Sequence, residues 1–234
     1  TKQRQLNDEI NDNAAKYIAN NLLARLTQLM QPVCECHLDS DDGLVVNVHY
    51  PASFSDEYLR PEVRLEIGPL ASWLPYDRYS IKPYSAEAFP NLFVESECIV
   101  NAILAERTFW EKATILHHEA HRPDGNVQPP RYSRHYYDLA MMAKTDVKNK
   151  ALADLEMLKA VVDFKKRFYA RGWAHYDLAK PGTFKLIPEG QVLTILKKDY
   201  ADMKQMIFGS YPAFDEVMTV LSDLESEING MNSL

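Results

Sequence analysis

The chain has 234 residues, of which 46% are hydrophobic and 25% are charged, and its net charge at pH 7 is −7. This composition is typical of a globular protein with one sizeable core or two smaller ones. No run of about 18 apolar residues is present, which argues against a membrane-spanning segment. The polar first residues show no signal peptide, and three cysteines form neither a disulfide framework nor a zinc motif. We therefore expect a cytoplasmic protein with reduced thiols.

The charge is unevenly distributed along the chain. Residues 1–104 hold 8 basic and 15 acidic side chains, whereas residues 105–234 hold 18 of each. Within the second half, residues 144–171 carry 8 basic and 4 acidic side chains, among them Lys165, Lys166, Arg167 and Arg171. This segment has two interpretations, a solvated helix face or a basic face that meets RNA phosphates.

The first half of the chain predicts one long helix followed by short strands. Apolar residues at helical spacing predict a helix over 2–30, which Pro32 ends. Strand-like runs follow at 33–38 and 44–50, and the Asp- and Gly-rich residues between them predict a hairpin turn. Alternating residues predict a third strand over 62–67, and a fourth is expected near 80–84.

The second half is predicted to be helical. After about Asn101 the apolar spacing changes to that of helices, which are expected near 105–121, 132–143, 150–170, 189–207 and 212–229. The chain is therefore predicted to be α+β, with one domain over 1–104 and a helical domain over 105–234.

Residues 106–142 hold charged side chains at positions where a helical core normally has apolar ones. Phe109, Ala113 and Leu116 recur at helical spacing, and Lys112 lies at the border of that stripe. Asp138 is a lone carboxylate in a largely apolar run that follows Ser133, a predicted N-cap. Charges in such positions lose hydration, so they need a partner, a metal or a ligand.

These residues also resemble a known family. The pattern E-R-T-F-x-E-K-x-x-x-L-H, followed after a loop by S-R-H-Y-Y-D-L, resembles the AbiEii/AbiGii-type nucleotidyltransferase toxins of type IV toxin–antitoxin, or abortive-infection, systems. Weaker similarity extends upstream to 59–68 and 86–90 and downstream to 179–183 and 199–203. The resemblance therefore covers nearly the whole chain, and its most specific part is the two-helix block.

The resemblance implies a nucleotidyltransferase-type mixed sheet domain, a C-terminal helical bundle and a set of site residues. The implied activity transfers a nucleotide from an NTP to an acceptor, with tRNA the expected one, using Mg²⁺ and opposed by a cognate antitoxin. Glu66 would be a metal-binding carboxylate on a strand, and Lys112 would neutralise triphosphate charge. Asp138 would orient Lys112 or help to hold metal, and Arg134 and Arg131 would contact the nucleotide.

Each of these residues has a plainer interpretation. Glu66 could belong to the polar face of a half-exposed strand, paired with Arg64. Lys112 could be a lysine whose stem packs on the core while its ammonium reaches water. Arg134 and Asp138 could form an ordinary ion pair between residues i and i+4.

The front of the family's motif set does not appear in this sequence. Enzymes of this superfamily carry a Gly-Gly or Gly-Ser turn followed by Asp-x-Asp or Asp-x-Glu on a strand. Asp39, Asp41 and Asp42 are the nearest equivalent, and the following Gly43 makes a hairpin turn the better interpretation. Because the chain begins inside a polar helical segment, we expect a fragment that is inactive alone. The alternative is a non-catalytic module that binds a nucleotide, RNA or a protein.

Four histidines fall within the two-helix block. His117 and His121 have a spacing compatible with metal binding, but the H-E-x-x-H pattern is not met and no third ligand is evident. We therefore interpret His117, His118, His121 and His135 as packing or surface residues.

Overall fold

The computed structural model describes residues 2–53, 60–207 and 209–231. It is mixed α+β, with 54% helix and small antiparallel sheets that precede most of the helices, which confirms the predicted fold class. The chain divides into two compact units, Thr1–Ser72 and Trp73–Leu234. The division into a sheet domain over 1–104 and a helical domain over 105–234 stays a prediction. Among the described residues, no helix combines the length and apolar character needed to cross a membrane.

The first unit begins with the predicted long helix. Helix α1 spans Lys2–Tyr17, a π-helical stretch covers Ile18–Leu22, and α2 spans Leu23–Met30. Ile18 is fully buried and packs in one apolar cluster with three residues of the sheet, Cys36, Val46 and Val48.

Three antiparallel strands complete this unit. They are β1 (Glu35–Leu38), β2 (Val45–His49) and β3 (Glu62–Glu66), hydrogen-bonded in that order. The predicted turn between β1 and β2 is confirmed, because the Asp39 carboxylate accepts the backbone N–H groups of Asp41 and Asp42 at 3.1 and 3.2 Å. The Asp39 side chain thus provides hydrogen-bond acceptors for the backbone N–H groups of its own turn.

The second unit begins with a two-stranded sheet. Strand β4 (Tyr76–Ile81) pairs with β5 (Cys98–Ile103), and helix α3 (Tyr84–Ala88) and a 3₁₀ turn (Pro90–Leu92) lie between them in the chain. The fourth strand was predicted too late, near 80–84, and β5 was not predicted. Its ladder with β4 joins residues far apart in sequence, so no local pattern reveals it.

Six further α-helices follow among the described residues. They are α4 (Ala105–Ala120), α5 (Ser133–Ala143), α6 (Asp146–Leu152), α7 (Leu155–Phe168), α8 (Gly190–Asp202) and α9 (Phe214–Asn229). The helix predicted over 150–170 is wrong in its extent, because α6 ends and α7 restarts at Asp154. The Asp154 carboxylate accepts the N–H of Met157 at 2.9 Å, so it caps the new helix.

Helix α4 lies at the centre of the helical core, because it packs against α5, α6 and α7. Its apolar stripe, which includes Phe109, Trp110 and Leu116, is fully buried. The indole N–H of Trp110 donates to the Ala151 carbonyl oxygen at 3.1 Å, so this buried polar group is satisfied. The prediction of a buried stripe is confirmed. The burial of this stripe determines which side of α4 faces α5.

All three cysteines are free in the structure. Cys36 is buried, Cys34 is half-buried and Cys98 is exposed.

Candidate functional site

The structure brings Lys112 and Asp138 together across the contact between α4 and α5. The ammonium Nζ of Lys112 donates to Oδ2 of Asp138 at 2.7 Å and lies 3.0 Å from Nδ1 of His135. His135 and Asp138 are three residues apart, so they share one face of α5. Lys112 is 21% exposed and Asp138 is 40% exposed, so both remain accessible to a ligand.

His135 is a neutral partner of Lys112. Burial, together with the charges of Lys112, Arg134 and Lys165, lowers the pKa of His135 to about 3. A neutral imidazole can accept at Nδ1 only when its proton is on Nε2, so the Lys112 ammonium is the donor in this contact. Sequence reasoning treated this histidine as a packing or surface residue, and its position beside Arg134 gave no sign of a contact with α4.

A second lysine reaches the same region from α7. Nζ of Lys165 donates to the backbone carbonyl oxygen of Glu111 at 2.9 Å. Burial, with the nearby charges of Lys112 and Arg107, lowers the pKa of Lys165 to about 7, although Glu111 opposes this shift. The Glu111 carboxylate itself accepts Nε of the buried Arg107 at 3.0 Å.

The two arginines proposed to contact nucleotide lie at the start of α5. Arg134 is exposed in its first turn, and Arg131 is exposed with a left-handed backbone (φ 65°). The Asp199 carboxylate on α8 accepts the N–H of Arg131 at 2.7 Å and that of Ser133 at 2.8 Å. Ser133 was therefore wrongly predicted as the N-cap, because Asp199 satisfies these backbone donors from another helix.

Glu66 belongs to the first unit, at the end of β3. Its carboxylate accepts Nε of Arg64 at 3.1 Å, and its side chain is 74% exposed. The Arg64 guanidinium also donates to Asp39 at 2.6 Å, and hydrogen bonds from Asn47 and the Asp41 backbone are the main causes that lower the pKa of Asp39 to about 2. Pairing with Arg64 is the plainer interpretation given above, and the role of Glu66 as a metal ligand stays a prediction.

A buried ion pair holds the loop that connects α4 and α5. The Arg122 guanidinium donates two bonds of 2.7 Å to the fully buried Glu119 carboxylate, and the Gln128 amide adds a third at 3.0 Å. A buried carboxylate needs such partners, so this network fixes the end of α4 and the loop that leads to Arg131.

The histidines of α4 contact other residues of the second unit. Nδ1 of His117 accepts the N–H of Lys185 at 3.0 Å, and Nε2 lies 3.0 Å from the His175 carbonyl oxygen, so both nitrogens are occupied. His118 stacks on Trp173 with ring centroids 4.3 Å apart. In the described part of the chain, no group of three or more His, Cys, Asp or Glu side chains is arranged to hold a metal ion.

Comparison with known proteins gives one match. The family model described as "Nucleotidyl transferase AbiEii toxin, Type IV TA system" matches residues 1–220 of the chain. Neither the curated proteins nor the solved structures contain a match. The matched range includes the first unit, most of the second unit and the whole contact between Lys112 and Asp138. The chain therefore belongs to the AbiEii nucleotidyl transferase toxin family.

Proposed function

We propose that this protein acts as a nucleotidyltransferase toxin that transfers a nucleotide from an NTP to tRNA in the cytoplasm. Family membership implies a nucleotide substrate and a cognate antitoxin. The observation that carries the proposal is the Lys112 ammonium, half-buried between Asp138 and neutral His135. In the part of the chain that the structure describes, the carboxylate paired with this ammonium is that of Asp138, which is partly exposed, so an incoming phosphate can share the ammonium.

The chemistry follows from positioning and charge. Charge on the triphosphate oxygens grows as the bond to the leaving pyrophosphate breaks, and the Lys112 ammonium neutralises it. Asp138 and His135 hold the amino group in place, so little reorganisation is needed during the reaction. Arg134, exposed one turn before Asp138, supplies a second contact to phosphate, and Arg131 a further one.

Magnesium is the expected cofactor of this activity, and Glu66 is its proposed ligand from this chain. The described residues do not themselves form a metal site, and one Asp138 oxygen is bonded to the Lys112 ammonium. We therefore assign these residues no step that passes through the metal. When bound, Mg²⁺ would supply charge stabilisation at the reacting phosphates.

The test is a transfer assay with the full-length protein, labelled NTPs and tRNA in the presence of Mg²⁺. Lys112→Met keeps the apolar stem and removes the charge, so transfer should fall by about 100-fold or more. Lys197→Met, an exposed lysine of α8 outside the basic segment 144–171, is the matched control and should transfer normally. Folded protein that transfers no nucleotide to any acceptor would count against the enzymatic proposal.

A non-catalytic binding module is the second candidate. The observation that favours it is the group of cations around Lys112, which can bind an anion without any chemical step. Under this alternative, Lys112→Met weakens NTP binding while the wild-type protein binds NTP and transfers nothing. Measuring binding and transfer on the same samples separates the two.

A further inference from the structure

The region around His135 holds more positive than negative charge. Lys112, Arg134 and Lys165 each lower the pKa of this histidine through their charge. Two carboxylates interact with the two lysines. Asp138 is bonded to Lys112, and Glu111, which is bonded to Arg107, interacts with Lys165. With Arg107 included, four basic side chains of the described residues stand against these two carboxylates, in a protein whose overall net charge is −7. An unbalanced, partly buried group of cations is suited to a polyanion.

Lys165 is the least compensated of these cations. Its ammonium bonds to a carbonyl oxygen, that of Glu111, and forms no ion pair within residues 2–53, 60–207 and 209–231. A carbonyl dipole offsets only part of a full charge, so the half-buried ammonium lacks the partner that its position requires. The Glu111 carbonyl that the Lys165 ammonium contacts belongs to the residue directly before Lys112. The side chain of Lys165 therefore extends from α7 to the turn of α4 that carries Lys112.

We propose that Lys165 is a further phosphate-binding residue of the Lys112 site, whose ammonium acts with that of Lys112 on the polyphosphate of the nucleotide. This inference rests on the proposed function, since it takes the Lys112 site to be where the nucleotide phosphates bind. It adds a residue from a third helix, outside the block of α4 and α5 on which the sequence resemblance depends.

The protonation of Lys165 gives the proposal a distinctive consequence. Burial and the neighbouring cations hold the pKa of Lys165 at about 7 in the free protein, so near neutral pH only part of the population is charged. A bound polyanion favours the charged form and raises this pKa, so binding takes up protons. The charged or titratable groups that interact with the ammonium are Arg107, Glu111, Lys112 and His118 on α4 and His135 on α5. Arg134 acts on the same His135, and Tyr169, which follows α7, interacts with the same Glu111.

The first measurement is the binding of inorganic tripolyphosphate to the full chain by isothermal titration calorimetry. Lys165→Met should weaken binding about tenfold, the effect expected from one charge-assisted hydrogen bond. Lys166→Met is the matched control, because this exposed lysine follows Lys165 on the same helix and should leave the affinity unchanged.

The second measurement is the number of protons taken up on binding at pH 7.5, from titrations in buffers of different ionisation enthalpy. Protonation of the probe itself is common to all variants, so the comparison is between variants. Lys165→Met and Lys165→Arg should both lose the uptake that belongs to Lys165. The arginine is always charged, so only Lys165→Arg should keep an affinity within about threefold of that of the wild type.

The outcomes separate this inference from the proposed function. If Lys112→Met weakens binding and Lys165→Met leaves affinity and proton uptake unchanged, the role of Lys165 is overturned and the function stands. If neither substitution weakens binding, the role of Lys165 and the proposed function are both overturned.

If circular dichroism shows that Lys165→Met does not fold, the Lys165→Arg variant is decisive. Proton uptake equal to that of the wild type overturns the role of Lys165, and a loss of proton uptake supports that role.

Discussion

The amino group of Lys112 has partners of two kinds, one charged and one neutral. Asp138 balances its charge, whereas His135, whose pKa is lowered to about 3, can only accept a hydrogen bond from it near neutral pH. A lysine held in this way keeps its direction, because the three donors on its flexible stem have two fixed acceptors. This geometry gives the first residue-scale prediction.

Replacing Asp138 with Asn should lower nucleotide transfer by about 100-fold, because Lys112 loses the anion that orients it. The measurement is the initial rate of label transfer from NTP to tRNA, with folding checked by circular dichroism. Asp146→Asn is the matched control, since this exposed residue pairs with Lys150 at 3.3 Å on α6, away from Lys112 in the sequence. Equal rates for the two variants would show that Asp138 is an ordinary ion-pair partner.

Glu66 provides a second residue-scale prediction. As a metal ligand, its carboxylate contributes a charge that an amide lacks, so Glu66→Gln should lower transfer by about 100-fold and raise the Mg²⁺ concentration needed for half-maximal rate. Glu35→Gln, also exposed on a strand of the same sheet, should change neither quantity. An unchanged magnesium dependence in Glu66→Gln would leave Glu66 as the exposed partner of Arg64.

At the scale of elements, the start of α5 depends on a residue of α8. A helix leaves its first N–H groups without partners, and Asp199 accepts two from this region at 2.7 and 2.8 Å. This contact also holds the left-handed turn at Arg131, so one side chain determines where the helix that carries Arg134 and Asp138 begins.

Removing this contact should destabilise the protein measurably. Asp199→Ala should lower the free energy of unfolding in urea by about 1–2 kcal/mol, the usual cost of losing an N-terminal cap. Asp202→Ala, an exposed change in the last residue of the same helix, is the control and should stay within about 0.5 kcal/mol of the wild type. Equal effects of the two substitutions would contradict a capping role for Asp199.

At the scale of the whole molecule, buried histidines link stability to pH. Burial is the main cause that lowers the pKa of His117 and His118 to about 4, and burial with neighbouring cations lowers that of His135 to about 3. These histidines stay neutral in the folded protein, whereas the unfolded chain protonates them below its ordinary pKa of about 6.5. The unfolded state therefore binds more protons in this range, and stability falls as the pH decreases.

The prediction is a steep loss of urea stability between about pH 6.5 and 4. His118→Phe keeps an aromatic ring against Trp173 and removes one titrating group, so its loss of stability with falling pH should be shallower. Near pH 8 the histidine is neutral in both states, so there the difference between variant and wild type should not depend on pH. A flat stability profile from pH 6.5 to 4 would show that these imidazoles do not titrate on unfolding.

Local patterns in the sequence determined most of the elements and the family. The buried stripe of α4, the hairpin turn at Asp39 and the run around Asp138 are properties of neighbouring residues, so their periodicity and composition were sufficient to predict them. The same residues carried the family resemblance, which the match over 1–220 confirms.

The tertiary structure alone decided which groups meet. Strand β5 exists because it pairs with β4, and Asp199 replaces Ser133 as the cap of α5 because α8 packs against that helix. Lys165 and His135 reach Lys112 from two different helices. Contacts of this kind depend on how distant elements pack, and burial then sets the pKa values, so neither spacing nor composition contains them.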